Sequence, residues 1–563
     1  MQADPLSPWE LAAVLASFLL ATLILTLPVA LHPASTLPSD LVDTLLNTWI
    51  LGWDADRLAH GLHGVWEAPI FFPYHDALAF SENLFGLGFL VAPVYWVSRN
   101  PVLTYNIAFL FSFVVAGAGM YLLVRSLTRS RSAAAVAGAA YAFCPFRLAQ
   151  IAHIQMVATG WMPIALWALH EYVPARRRRW LVVFAVAAVL QALSNMYVGY
   201  FMAVPILIVA SDLLMRERVR RLRAVLDVAA ACLAIAVVLA PVGAAYYRAR
   251  SQYTQVRRPD EIVNGGADVR SYLVGKNSIG MWRWLPTAVA SDPEKELFPG
   301  VFAVLLGAAA FWPRAGREGP PGRWVRLYGW IALAGFVCSL GPQVKVWGLV
   351  VTDAGPYGWL LRIVPGMDGM RVPARFAIVF VLGLSVLAGC GVLAVLSRLP
   401  RRLRPLALAV CLMAIVADSW AAPLPTYPYA ARGRAEDRAA ATWLRNQPSG
   451  AVLHLPIKPA GFQYVNYQYA TLFHGHPIVN GFSGYDMPLQ ELLRGAMAPA
   501  ADDQQFRETV GRLPSIGVRY VIAHPGDFDT PSQSAWTLAA LRRSPQIVRE
   551  TTLVGVSAFE LAP

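Results

Sequence analysis

Acidic and amide side chains follow the first long apolar run, in the segment SDLVDTLLNTWILGW. A helix turns by about 100° per residue, so Asp40, Asp43, Asn47 and Asp54 are predicted to share one helix face. The remaining residues of this helix are mostly apolar or aromatic. Because a carboxylate beside a bilayer is costly unless water or a ligand stabilises it, the stripe indicates the mouth of a site that faces both water and lipid.

A carboxylate in this position can act as a general base. Partial desolvation raises the pKa of a carboxyl group, which suits it to take a proton from an attacking hydroxyl. We predict that Asp40 is the base, and that Asp43 orients the acceptor or helps to bind a divalent cation such as Mg²⁺ or Mn²⁺. The alternative is a helix-start role for Asp40, with Ser39 as the cap. Capping does not explain why Asn47 and Asp54 continue the same helix face, so we favour a catalytic role for Asp40.

The composition is that of an integral membrane protein. Of the 563 residues, 56% are hydrophobic and only 14% are charged, which is too apolar for a soluble chain of this length. The net charge of +13 comes from short arginine runs between apolar segments, so membrane topology explains it better than nucleic-acid binding. All five cysteines lie in apolar runs, which indicates neither a disulfide framework nor a zinc site.

Placing every arginine run on the cytoplasmic side predicts about eleven membrane spans. These are residues 9–31, 101–124, 132–149, 156–173, 180–196, 197–214, 224–245, 297–313, 327–347, 374–397 and 404–420. The amino terminus is then cytoplasmic and the carboxyl terminus extracytoplasmic. The run 82–97 is short and contains a proline, so we expect a helix in the outer interface there.

This topology predicts a membrane domain over residues 1–420, with outer loops at 32–100 and 246–296, and an extracytoplasmic α/β domain over 421–563. The strands and helices of that last domain are predicted from its sequence pattern. The strands are AVLHLPI, HPIVNGF, VRYVIAH and VGVSAFEL, and the helices are AEDRAAATWLRN and TPSQSAWTLAALRR. The predicted fold class is therefore a polytopic α-helical membrane protein with a carboxyl-terminal extracytoplasmic α/β domain.

Several further polar residues fall on the predicted outer side. Arg371 and Arg375, in MRVPARFAIVF, begin a span there, and guanidinium groups bind phosphate in a bidentate way. Snorkelling to lipid headgroups is the alternative role for these two arginines. The other candidates for contacts with the substrates are Asn47, Arg147, His153, Gln155, Arg257, Arg258 and Glu296. An ordinary interfacial position is the alternative for His153 and Glu296, and an ordered interfacial cap is the alternative for the loop with Arg257 and Arg258.

Motifs for other kinds of chemistry are weak or missing. His474 and His476, in FHGHPIVNGFSG, would alternate on one strand face without a third ligand nearby, so no metal is assigned to them. No phosphate-binding loop, nucleophile elbow or dinucleotide fingerprint occurs in its required strand–turn–helix context. The sequence therefore favours the acids at the membrane edge as the reactive groups.

The order of these features resembles the GT-C superfamily of polytopic membrane glycosyltransferases. A first span precedes an outer loop with acidic residues at its start, an interfacial stretch, a bundle of spans and a polar outer domain. The likeness is to bacterial members related to the protein mannosyltransferases and the lipid A aminoarabinose transferases. The motifs that carry it are SDLVDTLLNTW and, more loosely, ENLFGLGF, RNPVLTYN, RLAQIAHIQ, EKELFPG and RVPARF.

The resemblance implies a polyprenyl-phosphate sugar donor and a base from the first outer loop, where Asp40 occupies the matching position. The family often has adjacent acids, whereas two residues separate Asp40 from Asp43 here, so either can be the base. The implied protein is an inverting glycosyltransferase of the bacterial cytoplasmic membrane, acting at the outer face on a cell-envelope glycan, lipid or protein. Its partners would include membrane lipids and no nucleic acid.

Two other functions fit a bundle with polar groups. A transporter or flippase of a lipid-linked intermediate would carry ionisable residues at mid-membrane and often paired repeats. A non-catalytic scaffold would use its outer α/β domain to bind envelope partners. The concentration of acids at one membrane face favours chemistry over transport.

Overall fold

The computed structural model describes residues 7–216, 221–253, 256–275, 279–282, 293–312, 322–421, 423–458, 462–498 and 502–562. The chain divides into two compact units. The first contains residues 1–31, 108–241 and 256–425, and the second contains residues 32–107, 242–255 and 426–563.

The first unit is almost entirely helical. Its described helices are Pro8–Leu25, Leu27–Leu31, Arg131–Ala142, Pro145–Ala149, Ile154–Val157, Trp161–Ala175, Arg179–Ser194, Met196–Phe201, Ala203–Arg216, Pro259–Asn264, Val301–Ala309, Gly322–Ser339, Tyr357–Ile363, Ala377–Leu396 and Arg404–Asp418. Two longer helices, Pro101–Thr128 and Arg221–Tyr253, contain boundaries between the units. Side-chain caps define several helix starts; for example, Ser7 accepts the N–H of Glu10 and Ser130 that of Ala133.

Six helices among the described residues are long and apolar enough to cross a membrane, which supports a multi-pass membrane protein. They are Pro8–Leu25, Pro101–Thr128, Arg131–Ala149, Met196–Arg216, Arg221–Tyr253 and Pro373–Leu396. Every other run predicted as a span also contains helix, although the count of eleven stays a prediction.

Two predicted spans differ from the observed helices. The helix in 297–313 covers only Val301–Ala309, and the helix in 327–347 ends at Ser339. Gly341 then takes a φ of +82° and Pro342 lacks an N–H, so the helix cannot continue. A short antiparallel hairpin, Val344–Val346 with Leu349–Thr352, follows instead. Sequence hydropathy alone does not register this change of backbone.

The core of the first unit is the helix Ala377–Leu396, which is buried along nearly its whole length. Glycines let neighbouring backbones approach it closely. A Cβ at Gly391 would lie 1.7 Å from the Leu306 carbonyl oxygen, and one at Gly389 would lie 2.7 Å from that of Ala133. Such contacts favour helix association through close packing rather than through large apolar side chains.

The second unit combines helices with sheets. Its helices are Asp43–Ala59, Phe85–Ser98, Ala435–Arg445, Phe462–His474, Pro488–Ala496, Asp503–Arg512 and Pro531–Arg543. A two-stranded antiparallel ladder joins Thr36–Pro38 to Thr426–Pro428. In the four-stranded sheet, Ala451–Leu455 runs parallel to Val518–Ala523. Val556–Leu561 and then Ile547–Leu553 complete this sheet in antiparallel pairings.

The predicted strands AVLHLPI, VRYVIAH and VGVSAFEL and both predicted helices of this region are present. The strand predicted for HPIVNGF is wrong, because Pro477 cannot donate to a ladder and only an isolated bridge joins Ile478 to Val452. The edge strand Ile547–Leu553 was missed, since IVRETTL is largely exposed and lacks a clear apolar alternation. The helix Phe85–Ser98 covers most of the run expected to lie in the interface.

Contacts within the second unit hold the helix Asp43–Ala59 firmly. The indole Nε1 of Trp49 donates to Thr471 Oγ1 at 3.0 Å, which links this helix to Phe462–His474. A Cβ at Gly52 would lie 3.0 Å from Leu472, so these helices pack closely. The segment with the predicted catalytic acids is therefore positioned by residues more than 400 positions later in the chain.

Candidate functional site

Asp40 precedes the helix, which begins at Asp43. Its Oδ1 accepts the N–H groups of Val42 at 2.8 Å and Asp43 at 3.1 Å, so Asp40 makes the turn that starts the helix. The predicted cap, Ser39, takes a φ of +69° instead. Asp40 is half-buried, and among the described residues its Oδ2 has no hydrogen-bond partner. Capping and a chemical role are therefore compatible, because they use different oxygens.

Asp43 and Asn47 lie on the first two turns of this helix, and Asn47 is buried. Thr44, between them, donates its hydroxyl to the Pro38 carbonyl at 3.0 Å. The fully buried Tyr105 stands close enough to Asp40 and Asp43 to interact with both carboxylates. The structure thus brings together Asp40 and Asp43 of the predicted site, with Tyr105 as a neighbour that the sequence did not indicate.

Asp54 does not continue a water-facing stripe. It is fully buried, and a Cβ at Gly88 would lie 2.7 Å from its Oδ2. Neither carboxyl oxygen has a partner among the described residues. Burial raises the pKa of Asp54 well above its ordinary value, which favours the neutral form of the group. The predicted stripe is therefore wrong beyond Asp43, because helical periodicity gives an angular position and not exposure.

Arg375 lies in the first unit and is paired with a glutamate. Its Nε donates to Glu294 Oε2 at 3.0 Å and its Nη2 to Oε1, so the pair is bidentate. Burial alone would raise the pKa of Glu294, but Arg375 and then His153 outweigh it and lower the pKa to about 2. Arg375 was predicted to bind phosphate; in the structure its fork is occupied by Glu294.

The structure gathers other predicted residues around this ion pair. His153 Nε2 lies 3.7 Å from Glu294 Oε1, and the Arg375 guanidinium lies 5.0 Å from the Tyr197 ring centre. The Tyr197 hydroxyl accepts the backbone N–H of Arg371 at 2.9 Å. Arg371 itself is exposed, and among the described residues its guanidinium has no hydrogen-bond partner.

Glu294 was missed because EKELFPG contains two glutamates, and sequence reasoning chose Glu296. Both are largely buried, but Glu294 is the one paired with Arg375. One argument from the sequence could have found this pair. A buried arginine at the outer end of a span needs a nearby acid as its partner. Gln155 is also buried, on the short helix Ile154–Val157.

Arg147 has an internal role. It is fully buried, with Nε donating to the Tyr141 carbonyl at 3.1 Å, Nη2 to Thr159 Oγ1 at 2.7 Å, and Nη1 to the Val157 carbonyl. Its guanidinium also lies over the Tyr141 ring. These contacts use all three guanidinium nitrogens within residues 141–159, which leaves none of them for the predicted contact with a substrate.

Arg257 and Arg258 precede the short helix Pro259–Asn264. Arg257 lies 3.6 Å from Glu261, while the exposed Arg258 lies 3.2 Å from Asp260 and 3.3 Å from Glu261. The end of that helix is tied to the Arg371 segment, because Ala374 donates its N–H to the Gly265 carbonyl at 3.1 Å. The two arginines thus lie in a segment of the first unit in which neighbouring acids offset their positive charge.

No cluster of three histidine, cysteine or acidic residues with metal-binding geometry occurs in the described part of the chain. His474 ends the helix Phe462–His474, so the predicted alternation of His474 and His476 on a strand is wrong. His476 instead contacts the carbonyls of Gly450 and Leu444 at 3.0 and 2.9 Å. Asp40 and Asp43 are the two neighbouring carboxylates that remain as a candidate cation contact.

Solved structures with a similar fold are glycosyltransferases of the GT-C class. The arabinofuranosyltransferase AftD from Mycobacteria aligns with a TM-score of 0.64 at 15% identity, over 100% of this chain and 42% of AftD. The oligosaccharyltransferase AglB from Archaeoglobus fulgidus, in complex with an inhibitory peptide and a dolichol-phosphate, aligns with a TM-score of 0.52 at 14% identity. That alignment covers 99% of this chain and 75% of AglB. The resemblance to the GT-C superfamily is thereby confirmed at the level of the fold.

The family assignment comes from the sequence. Residues 44–419, more than half of the chain, match the model of a domain of unknown function, DUF6311, and the chain belongs to this family. No curated protein matches the sequence. The chain spans less than half the length of AftD.

Proposed function

We propose that this protein is an inverting glycosyltransferase that moves a sugar from a polyprenyl-phosphate donor to a cell-envelope acceptor, at the outer face of the cytoplasmic membrane. The fold it shares with an arabinofuranosyltransferase and with an oligosaccharyltransferase that holds dolichol-phosphate supports this assignment. The observation that carries it is the turn at Asp40, where one carboxylate oxygen starts the helix and the other has no partner among the described residues.

The reaction follows from these groups. The acceptor hydroxyl oxygen attacks the anomeric carbon of the donor from the face opposite the phosphate, and its proton moves to Oδ2 of Asp40. The bond between the anomeric carbon and the phosphate oxygen breaks, and polyprenyl phosphate leaves with the electron pair. Asp43 orients the acceptor hydroxyl. Any divalent cation held by the two acids would stabilise negative charge on the phosphate.

From the sequence, Arg371 stays a candidate for contact with the phosphate of the donor. Its guanidinium is exposed and has no hydrogen-bond partner among the described residues, whereas Arg375 is held by Glu294. A guanidinium stabilises charge that develops on phosphate oxygens as the bond breaks. This role is independent of the base and can be tested separately by Arg371→Gln, which should raise the donor KM or lower kcat without changing the pH profile.

The decisive experiment replaces Asp40 by asparagine. Membranes with Asp40→Asn should transfer a labelled sugar from a polyprenyl-phosphate sugar about 10²–10⁴-fold more slowly than wild type, the usual loss when a general base is removed. Asp43→Asn should show a smaller loss if it only orients the acceptor. Asp502→Asn, at an exposed acid that starts the helix Asp503–Arg512, is the matched control and should be fully active. Wild-type rates in Asp40→Asn would contradict the assignment.

A further inference from the structure

A cavity of about 640 Å³ lies within the second unit, apart from the acids at the helix start. Its walls are the end of the helix Asp43–Ala59, the segment 67–75, and the end of the helix Phe462–His474 with the turn that follows. Ligand pockets in proteins usually measure about 300–1,000 Å³, so the cavity is large enough for a small organic ligand. Trp53, in its wall, is ten residues beyond Asp43, or about 15 Å along the helix axis.

The walls combine aromatic rings with paired charges. Trp53, Tyr74 and Tyr95 contribute aromatic rings, and the Arg57 guanidinium lies over the Trp53 ring, 4.7 Å from its centre. Asp56 is paired with Arg57, and Glu67 Oε2 lies 3.0 Å from His75 Nδ1. The cavity therefore combines aromatic rings with hydrogen-bond donors and acceptors.

The formal charges of the walls cancel. The cavity contains two carboxylates, Asp56 and Glu67, and two guanidinium groups, Arg57 and Arg445. A site for phosphate or pyrophosphate would need an excess of positive charge, and a site for a lipid chain would lack these ionic groups. A neutral ligand rich in hydroxyl groups, with one apolar face, matches the walls best.

His474 also lies in this wall. Its Nδ1 accepts the backbone N–H of His476 at 3.0 Å, so the proton of the neutral ring is on Nε2. Burial lowers the pKa of His474 well below its ordinary value, which keeps the ring neutral. Among the described residues Nε2 has no partner, and the atom is itself buried behind the wall surface.

The wall residues are held in place without a ligand. Trp53 donates its Nε1 to the Val65 carbonyl at 2.8 Å and stacks on Trp49 with ring centres 6.3 Å apart. Phe72 donates its N–H to the Ile478 carbonyl at 2.9 Å, and Ile478 donates to that of Pro69 at 3.1 Å. A preformed site loses little entropy on binding, which favours a weakly interacting ligand such as a sugar.

We propose that this cavity binds a neutral carbohydrate portion of the acceptor, away from the hydroxyl that reacts. The proposal that the bound sugar is an acceptor rests on the proposed function, whereas carbohydrate binding itself does not. A second contact at this distance would anchor a chain of sugars while its end reaches the catalytic acids, and it would select glycan acceptors over lipids or peptides.

The test measures binding of soluble neutral trisaccharides of arabinofuranose, mannose and glucose to the full chain, in a detergent that contains no sugar. Saturation-transfer NMR and tryptophan fluorescence report the contact. We expect at least one trisaccharide to bind wild type, and Glu67→Gln and Trp53→Phe to weaken that binding about tenfold or more. Glu67 is exposed, so its variant should fold normally.

Matched controls lie in the same unit and outside the cavity. Glu508→Gln removes another exposed carboxylate, and Trp443→Phe trims another half-buried indole; both should bind the trisaccharide like wild type. The proposal is overturned if none of the three sugars binds, if Glu67→Gln and Trp53→Phe have no effect, or if inorganic phosphate or a short peptide displaces the sugar.

Asp40→Asn separates the two proposals. Trisaccharide binding should be unchanged in this variant, because the cavity is about 15 Å from the helix start. If Asp40→Asn binds the sugar and still transfers at the wild-type rate, the proposed catalytic base is wrong and the cavity proposal stands. If Asp40→Asn is inactive and Glu67→Gln leaves trisaccharide binding and the acceptor KM unchanged, the cavity proposal is wrong and the proposed catalytic base stands.

Discussion

Two largely buried carboxyl groups, one in each unit, have pKa values that are shifted in opposite directions. Glu294 is held by the bidentate fork of Arg375 and its pKa is lowered to about 2. Asp54 is fully buried against Gly88 without a partner among the described residues, and burial raises its pKa well above the ordinary value. For these two acids, burial alone does not decide the direction of the pKa shift, because the guanidinium beside Glu294 outweighs it and no such group lies beside Asp54 in the described part of the chain.

The largest expected effect comes from breaking the pair in the first unit. Arg375→Met leaves the Glu294 carboxylate buried without its main partner, which should lower the free energy of unfolding by about 3–5 kcal/mol. Unfolding in mixed micelles, followed by tryptophan fluorescence, measures the loss. The double variant Arg375→Met/Glu294→Met should recover much of it, because no charge is then buried.

The same pair has a defined pH dependence. The pKa of Glu294 in the folded protein lies below its ordinary value of 4.5, so the stabilisation is fully present above about pH 4.5 and is lost as the pH falls towards 2. Wild type should lose stability across this range more steeply than Glu294→Gln. Parallel curves for the two proteins would show that the pair does not control the charge of Glu294.

Asp54 should make the stability of the protein depend on pH in the opposite direction. The folded protein keeps a proton that the unfolded chain releases, so wild-type stability falls as the pH rises from the unfolded pKa to the folded pKa. The slope is about 1.4 kcal/mol per pH unit while only the unfolded form is ionised. Asp54→Asn should lack this slope and gain relative stability with pH, whereas the exposed control Asp502→Asn should follow wild type. A constant difference between Asp54→Asn and wild type would contradict a neutral Asp54.

The smallest effect on stability is expected at Asp40, which is only half-buried. Asp40→Ala removes the acceptor for the N–H groups of Val42 and Asp43 and should cost about 1 kcal/mol. Asp40→Asn keeps an Oδ1 acceptor and should lie within about 0.5 kcal/mol of wild type. Equal losses in both variants, measured by unfolding in mixed micelles, would mean that the carboxylate charge and not the cap stabilises this turn.

The helices of the membrane region were predictable because their signal is local. The length of an apolar run can be read from adjacent residues, and all the runs predicted from hydropathy contain helix. The resemblance to the GT-C superfamily followed from the order of the segments. The hairpin after Ser339 was not predictable in this way, since VWGLVV is as apolar as a helix end.

Partnership between distant residues was not predictable. Arg375 looked like a phosphate ligand because its acid, Glu294, lies 81 positions earlier and differs from Glu296 only by its placement. Arg147 looked like a sugar contact because nothing in RLAQIAHIQ shows that its nitrogens bond to residues 141–159. Asp54 was predicted to face water because the helix pattern does not show that Gly88, 34 residues later, packs against its carboxyl group.

By itself, the sequence determined that the chain is apolar, helical and crossed by arginine-rich turns, and it marked Asp40 and Asp43 as acids at the edge of a span. Only the tertiary structure decided which charges are used internally, which carboxyl is neutral, and which side chains line the cavity near Trp53. The physical reason is range: hydropathy and helical periodicity act over neighbouring residues, whereas ion pairs, burial and cavities depend on residues that only folding brings together.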